Sequence, residues 1–218
     1  VDAVDNSQLE VLAEAVADFK LVTGGSGLAA YMAARLSGGK KGVNAFTPNK
    51  GKTVVLSGSC SVMTNKQVEK YREKAPHFQL DVEQAIHNEN YVEQLYQWVI
   101  ANLDSEFAPM VYATVPPDAL KTIQHQFGVG QASHAIESTF AKLAAKLKQA
   151  GVVNFITAGG ETSSIVVQEL GFTGFHIGKQ IAPGVPWLKA VEEDIFLALK
   201  SGNFGKEDFF EYAQGMFL

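Results

Sequence analysis

The chain has 218 residues, 46% of them hydrophobic and 19% charged, and a formal net charge of −5. This composition excludes a disordered or fibrous protein, and the acidic balance argues against nucleic acid or a membrane surface as partner. A chain this long buries roughly 70% of the surface its unfolded form exposes, so one large domain, or one with a small appendage, folds without staples. Cys60 is the only cysteine; no internal disulfide can form, which suits a reducing, cytoplasmic setting. No apolar run has the length of a transmembrane helix. The start, Val1-Asp2-Ala3-Val4-Asp5, lacks a signal-peptide pattern and an initiator methionine. It reads as the end of a buried strand, so the chain is expected to begin inside a longer protein.

Gln8 to Phe19 carries apolar residues at helical spacing. A short strand is expected at Lys20-Leu21-Val22, then a glycine turn, then an Ala-rich helix from Leu28 to Leu36. Ser37 to Lys52, rich in glycine and lysine, reads as a loop or linker. Lys52 to Ser57 predicts a buried strand, Thr64 to Lys74 a helix, Phe78 to Asp81 a strand, and Asn90 to Leu103 an amphipathic helix bearing Trp98. Met110 to Val115 predicts a strand ended by Pro116-Pro117, and Asp118 is a candidate cap for the helix that follows. Ala132 to Ala150 predicts a long helix closed by Gly151. A strand from Val152 to Thr157 leads into Ala158-Gly159-Gly160-Glu161-Thr162-Ser163-Ser164 and a helix closed by Gly171. Phe175 to Ile177, Ile181 to Leu188 and Ile195 to Lys200 read as strands, and Asp208 to Gln214 as a last helix. Alternation of strands and helices predicts an α/β fold: a largely parallel or mixed sheet flanked by helices. Ligands of such sheets collect at the carboxyl ends of the strands.

Three turns at such ends share one chemistry: Thr23-Gly24-Gly25-Ser26-Gly27, Ser57-Gly58-Ser59-Cys60-Ser61 and Gly159-Gly160-Glu161-Thr162-Ser163. Glycine lets an anion approach the backbone amides. The first turn of a helix leaves N–H groups unpaired and carries a positive partial charge. Convergent turns of this kind would hold a polyphosphate; each alone also serves as an ordinary turn and cap. Between Asp18 and Glu69 there is no acidic residue, while Lys20, Arg35, Lys40, Lys41, Lys50, Lys52 and Lys66 fall there. That predicts a positive field near two of the turns, or else a solvated lysine loop.

Other motifs fit less well. No G-x-x-x-x-G-K-[ST] occurs. Gly25-Ser26-Gly27-Leu28-Ala29-Ala30 matches a loose dinucleotide fingerprint, but the ribose-binding acid about 20 residues on is missing. An NAD(P)-dependent oxidoreductase therefore stands as an alternative, and a non-catalytic nucleotide-sensing domain as another. Cys60 is a nucleophile candidate or a small turn residue. His77, His87, His125, His134 and His176 have no metal-ligand spacing. Glu161 is a helix cap or a ligand for Mg²⁺ held by phosphates. Trp98, Phe209, Phe210 and Phe217 are expected in the core.

Five segments together resemble the four-carbon acid sugar kinases, the family of 3-oxo-tetronate and threonate kinases. They are Thr23 to Ala29, Leu56 to Ser61, Ala158 to Ser163, Ile181 to Trp187 and Leu199 to Gly205, and the likeness covers essentially the whole chain. The resemblance implies a two-domain enzyme that uses ATP and Mg²⁺ to phosphorylate a terminal hydroxyl of a tetronate-like acid. Its amino-terminal domain binds the sugar and begins with Asp-Asp-x-Thr-Gly, which this chain lacks. It thus implies a remnant of that domain at 1–36, a linker at 37–52 and the ATP-binding domain at 53–218. Ser57 would contact the nucleotide, Gly159, Gly160, Glu161 and Thr162 would wrap its phosphates, and Gly202 would lie nearby. The hydroxyls of Ser59 and Ser61 would be within reach of a phosphate, and Ala182 to Trp187 would form a wall of the site or a rigid turn. The catalytic base would belong to the absent domain, so this chain would bind nucleotide without turnover. Expected partners are the acid sugar, the amino-terminal domain and, through a severed apolar face, a second copy.

Overall fold

The structure, a computed structural model, describes residues 1–38, 40 and 46–217 in two compact units, Val1–Ala45 and Phe46–Leu218. Part of the expected linker, including Lys41, lies outside the described residues; the rest of it has neither helix nor strand.

The first unit holds helices α1 (Asn6–Ala15) and α2 (Ser26–Leu36). Asp5 caps α1, its carboxylate accepting the amides of Ser7 at 2.9 Å and Gln8 at 3.2 Å. The expected strand Lys20-Leu21-Val22 is absent, and α1 stops at Ala15 rather than Phe19. A strand needs a neighbour to satisfy its backbone, and apolar letters alone supply none. Ala13 is the one buried residue of this unit among those described, and Val4, Val11, Phe19, Leu21 and Leu36 are exposed.

The second unit runs β1 (Thr53–Ser57), α3 (Val62–Arg72), β2 (His77–Gln79), α4 (Val82–His87), α5 (Tyr91–Asn102), β3 (Met110–Tyr112), α6 (Pro117–Phe127), α7 (Val129–Gln149), β4 (Asn154–Ala158), α8 (Gly160–Leu170), β5 (Phe175–Ala182), β6 (Val185–Ala190), β7 (Phe196–Lys200) and α9 (Phe209–Gln214). The strands form one sheet in the order β2-β3-β1-β4-β7-β6-β5. The first five are parallel, and β6 runs antiparallel to both its neighbours, β7 and β5. The expected mixed α/β sheet is thus present. β1 and β4 are buried along their whole length, because helices cover both faces.

Alternation along the strands splits the core in two. Val54, Leu56, Phe155 and Leu197 pack with Leu95, Phe140, Leu143 and Val166 from α5, α7 and α8. Val55, Ile156, Ala158 and Ala198 pack with Val68 and Tyr71 of α3 and Phe209 and Phe210 of α9. Trp98 is half-buried against Phe78, ring centroids 5.4 Å apart, and Phe217 is half-buried against Trp187.

Three local expectations are corrected. Asp118 does not cap α6: Pro116 precedes the helix, and Asp118 is an exposed residue inside its first turn. The segment Ile181 to Leu188 is not one strand; Pro183-Gly184 breaks it into a hairpin, with Gly184 at φ +78°. Helix α4 was not expected; Asp81 caps it, accepting the amide of Gln84 at 3.1 Å. Gly151 and Gly171, both left-handed, follow α7 and α8 as the sequence suggests.

This topology creates a crevice. The crossover from β1 runs outward to β2, while the crossover from β3 passes over β1 to reach β4. Connections that diverge in this way leave room at the carboxyl ends of the central strands.

Candidate functional site

The carboxyl ends of β3, β1, β4 and β7 open onto one cavity of about 480 Å³. Gly58, Ser59 and Cys60 reach it from β1, Ala113 and Val115 from β3, Gly159 to Thr162 from β4, and Gly202 from the turn after β7. Leu120 and Ile123 of α6 and Ile136 of α7 supply an apolar wall, with Gln124 and Ser133 as polar neighbours.

The glycine turns after β1 and β4 are fused. Parallel register sets Ser57 opposite Ala158. The Ala158 carbonyl accepts the amides of both Gly58 (2.8 Å) and Ser59 (3.0 Å). A Cβ on Gly58 would collide with Thr162 Oγ1. Gly159 has φ +128°, and a Cβ there would stand 2.9 Å from Thr162 Oγ1 and 3.2 Å from the Ser59 amide nitrogen. Only glycine fits both places.

The two turns differ in what they leave free. In α3 the Ser61 hydroxyl accepts the Thr64 amide and the Asn203 side chain accepts the Met63 amide, each at 3.2 Å. Its amino terminus is closed from within. In α8 the first intrahelical bond is Ser163 to Gly159, and no side chain caps the helix. The amides of Gly160, Glu161 and Thr162 precede that bond and lie at the cavity. An uncapped terminus in such a place favours an anion by about 0.3–2 kcal/mol, more when partly buried.

The expected residues separate accordingly. Ser59, Gly159, Gly160, Glu161, Thr162 and Gly202 all line the cavity. Ser57 does not: it is fully buried, and its hydroxyl is 2.7 Å from that of Thr114. Ser61 is spent on capping α3. Ala182 to Trp187 do not line the cavity either; Gly184 turns the hairpin, where a Cβ would stand 3.0 Å from the Phe204 ring. Thr23 to Gly27 belong to the first unit, and no strand precedes them, so the strand–turn–helix context of the dinucleotide fingerprint is missing there. Of the lysine-rich window, Lys50 and Lys52 precede β1 and line a separate hollow at the amino-terminal side of that strand, away from the cavity. Burial pushes the Cys60 thiol above its ordinary value, outweighing a backbone hydrogen bond from Val115. That favours a protonated turn residue over a thiolate nucleophile. All five histidines are exposed, and no metal-binding cluster of His, Cys, Asp and Glu occurs among the described residues. No helix among them is long and apolar enough to cross a membrane.

Sequence reasoning missed Lys200. It ends β7 and is fully buried. Its ammonium donates to Thr64 Oγ1 at 2.8 Å and to the Gly202 carbonyl. Burial lowers its pKa from the ordinary 10.5 to about 8. The apolar wall from α6 and α7 was missed as well.

A family model for a nucleotide-binding C-terminal domain matches residues 54–210. The whole chain is 96% identical over 218 residues to a 3-oxo-tetronate kinase of Haemophilus influenzae, covering 53% of that protein. It is 84% identical over the same length to a 3-oxo-tetronate kinase of Actinobacillus succinogenes, again covering 53%. A crystal structure of a Haemophilus influenzae protein, 96% identical, matches with a TM-score of 0.85 over 100% of this chain and 53% of its own. The chain thus spans about half the length of the curated relatives it matches. It belongs to the family of the nucleotide-binding C-terminal domain, in keeping with the acid sugar kinases that its glycine turns resemble.

Proposed function

We propose that this chain is the ATP-binding part of an enzyme that phosphorylates a four-carbon acid sugar of the 3-oxo-tetronate type. The observation that supports this most is one cavity with two kinds of lining. It brings together the uncapped first turn of α8, Gly160 to Thr162, and the apolar side chains of Leu120, Ile123 and Ile136. A nucleotide needs both kinds of surface, one for its anionic oxygens and one for its flat ring. The names of the close relatives supply the acceptor class.

Phosphoryl transfer needs positioning and charge neutralisation more than covalent help from the protein. The α8 amides would hold phosphate oxygens, and Ser59 would add a hydroxyl. The donor set is hard oxygen and amide, which fits a polyphosphate with Mg²⁺. Glu161 is the carboxylate at the cavity and would hold that ion together with the phosphates, as one acid suffices for Mg²⁺ there. When bound, the ion would neutralise charge on the transferred group. The acid sugar and the general base would come from the other half of such enzymes.

Calorimetric titration with Mg·ATP tests the site. Gly160→Val should weaken binding at least about tenfold. The fold should hold, because a Cβ there meets only Ser201 Oγ, at 3.8 Å. Unchanged affinity would remove the α8 turn from the site. The chain alone, given ATP and 3-oxo-tetronate, should release no ADP above background; turnover would refute the division of labour. Tight ATP binding without turnover in the two-domain protein would mark a nucleotide sensor instead.

A further inference from the structure

Lys200 is a buried cation that the proposed mechanism does not use. It stands opposite Ala158 in the parallel register, one residue before the Gly159 turn, and its carbonyl accepts the Gly159 amide at 2.7 Å. Its side chain points to the α3 face, alongside Ala198. There the ammonium holds the Gly202 carbonyl and Thr64 Oγ1, and Thr64 Oγ1 in turn donates to the same carbonyl at 3.0 Å. Gln67 continues the clamp, donating to the carbonyls of Phe204 at 3.0 Å and Lys206 at 2.8 Å. The turn that supplies Gly202 to the cavity is thereby tied to α3 by buried polar side chains.

A buried charge is costly unless an opposite charge compensates it. Among the described residues no carboxylate lies within 4.0 Å of this ammonium. The charged and titratable groups around it are engaged elsewhere or exposed. Lys66 of α3 pairs with Glu207, Lys189 of β6 pairs with Asp194, and Lys206, Asp208 and Glu211 lie at or before α9. Glu161 of α8 is exposed, and Cys60 lies in the turn before α3. The Phe209 ring centroid, 6.0 Å away, offers only its π-face. An apolar residue in this place would satisfy packing better, so the charge itself calls for a use.

We propose that Lys200 is the positioning residue of the phosphate-binding part of the cavity: its ammonium fixes the Gly202 wall and supplies the positive charge that a bound polyphosphate compensates. This rests on the nucleotide reading of the cavity. Without ligand the cation stands uncompensated, and burial holds its pKa near 8. A polyphosphate would favour the protonated form, so by linkage its affinity falls as pH rises through that range. The neutral amine still donates hydrogen bonds, but weaker ones.

The test is calorimetric titration with ADP and with adenosine, on the wild type and on Lys200→Met, from about pH 7.5 to about pH 9.5, where the phosphates no longer titrate. Wild-type affinity for ADP should fall about tenfold across that range, and adenosine affinity should not. Lys200→Met should bind ADP about tenfold more weakly at the lower pH, with a flat profile. Cys60 remains in the variant, so loss of the slope reads Lys200 alone. A wild-type slope that persists in Lys200→Met, or a wild type with no slope, overturns the proposal while leaving the nucleotide site intact. If that variant does not fold, Cys60→Ser replaces it: a slope that survives there reads Lys200, and a slope lost there overturns the proposal. A wild type that binds neither ligand overturns the nucleotide reading and this inference with it.

Discussion

Gly159→Ala should abolish most nucleotide affinity, by about a hundredfold or more, and lower the melting temperature by roughly 5–10 °C. Two costs combine. The backbone at φ +128° and ψ +133° is one that side-chain-bearing residues rarely adopt, worth roughly 1–3 kcal/mol of strain. The new Cβ also meets the Ser59 amide nitrogen at 3.2 Å. That atom is backbone and donates to the Ala158 carbonyl, so it cannot rotate aside. The two turns must separate, and the α8 amides move with them. Gly171→Ala is the control: it too has a left-handed φ, +76°, but nothing lies within 4 Å of its added Cβ. It should cost about 1 kcal/mol and leave nucleotide binding as it is. Thermal melting and calorimetry on both variants check this. Equal affinity for Gly159→Ala and the wild type would deny the fused turns any role in binding.

Trp187→Ala should give the largest loss of stability, about 3–5 kcal/mol. Trp187 is fully buried on β6 and packs with Phe217, ring centroids 5.5 Å apart. Truncation opens a cavity that close-packed neighbours fill only in part. Trp187→Phe should cost far less, under about 1.5 kcal/mol. Among the described residues the indole N–H has no acceptor, so phenylalanine discards an unpaired buried donor along with the lost volume. Urea unfolding midpoints compare the two. A phenylalanine variant as unstable as the alanine variant would mean that the N–H is satisfied after all. Neither change should alter nucleotide affinity while the protein remains folded, because Trp187 does not line the cavity.

Much of the candidate site was legible because its chemistry is local. A strand that ends in glycine and small hydroxyls before a helix exposes amides whatever the rest of the fold does, and Gly159 to Thr162 could be named on that ground. At Ser57 the hydroxyl is placed elsewhere. A hydroxyl at the last strand position can face the ligand or a neighbouring strand, and Thr114 on the turn after β3 captures it. Lys200 left a faint signal. Phe196, Ala198 and Lys200 alternate along one strand, so a charge at the third position is aimed at the same buried side as two apolar residues. The apolar wall left none: Leu120, Ile123 and Ile136 look like the ordinary inner faces of amphipathic helices.

The sequence by itself determined the alternation of strands and helices, the glycine turns and the closing glycines of α7 and α8. Hydrophobic period and backbone permissiveness act over a few residues and need no distant partner. Only the tertiary structure decided which turns share a cavity. Thr23 to Gly27 has the same letters as the other two turns and lies in a different unit. The parallel register that aligns Ser57, Ala158 and Lys200 joins residues far apart in the chain. Which amides stay free depends on side chains such as Asn203, brought to α3 from across the sheet. Those pairings arise from strand order and burial, which no short window of sequence contains.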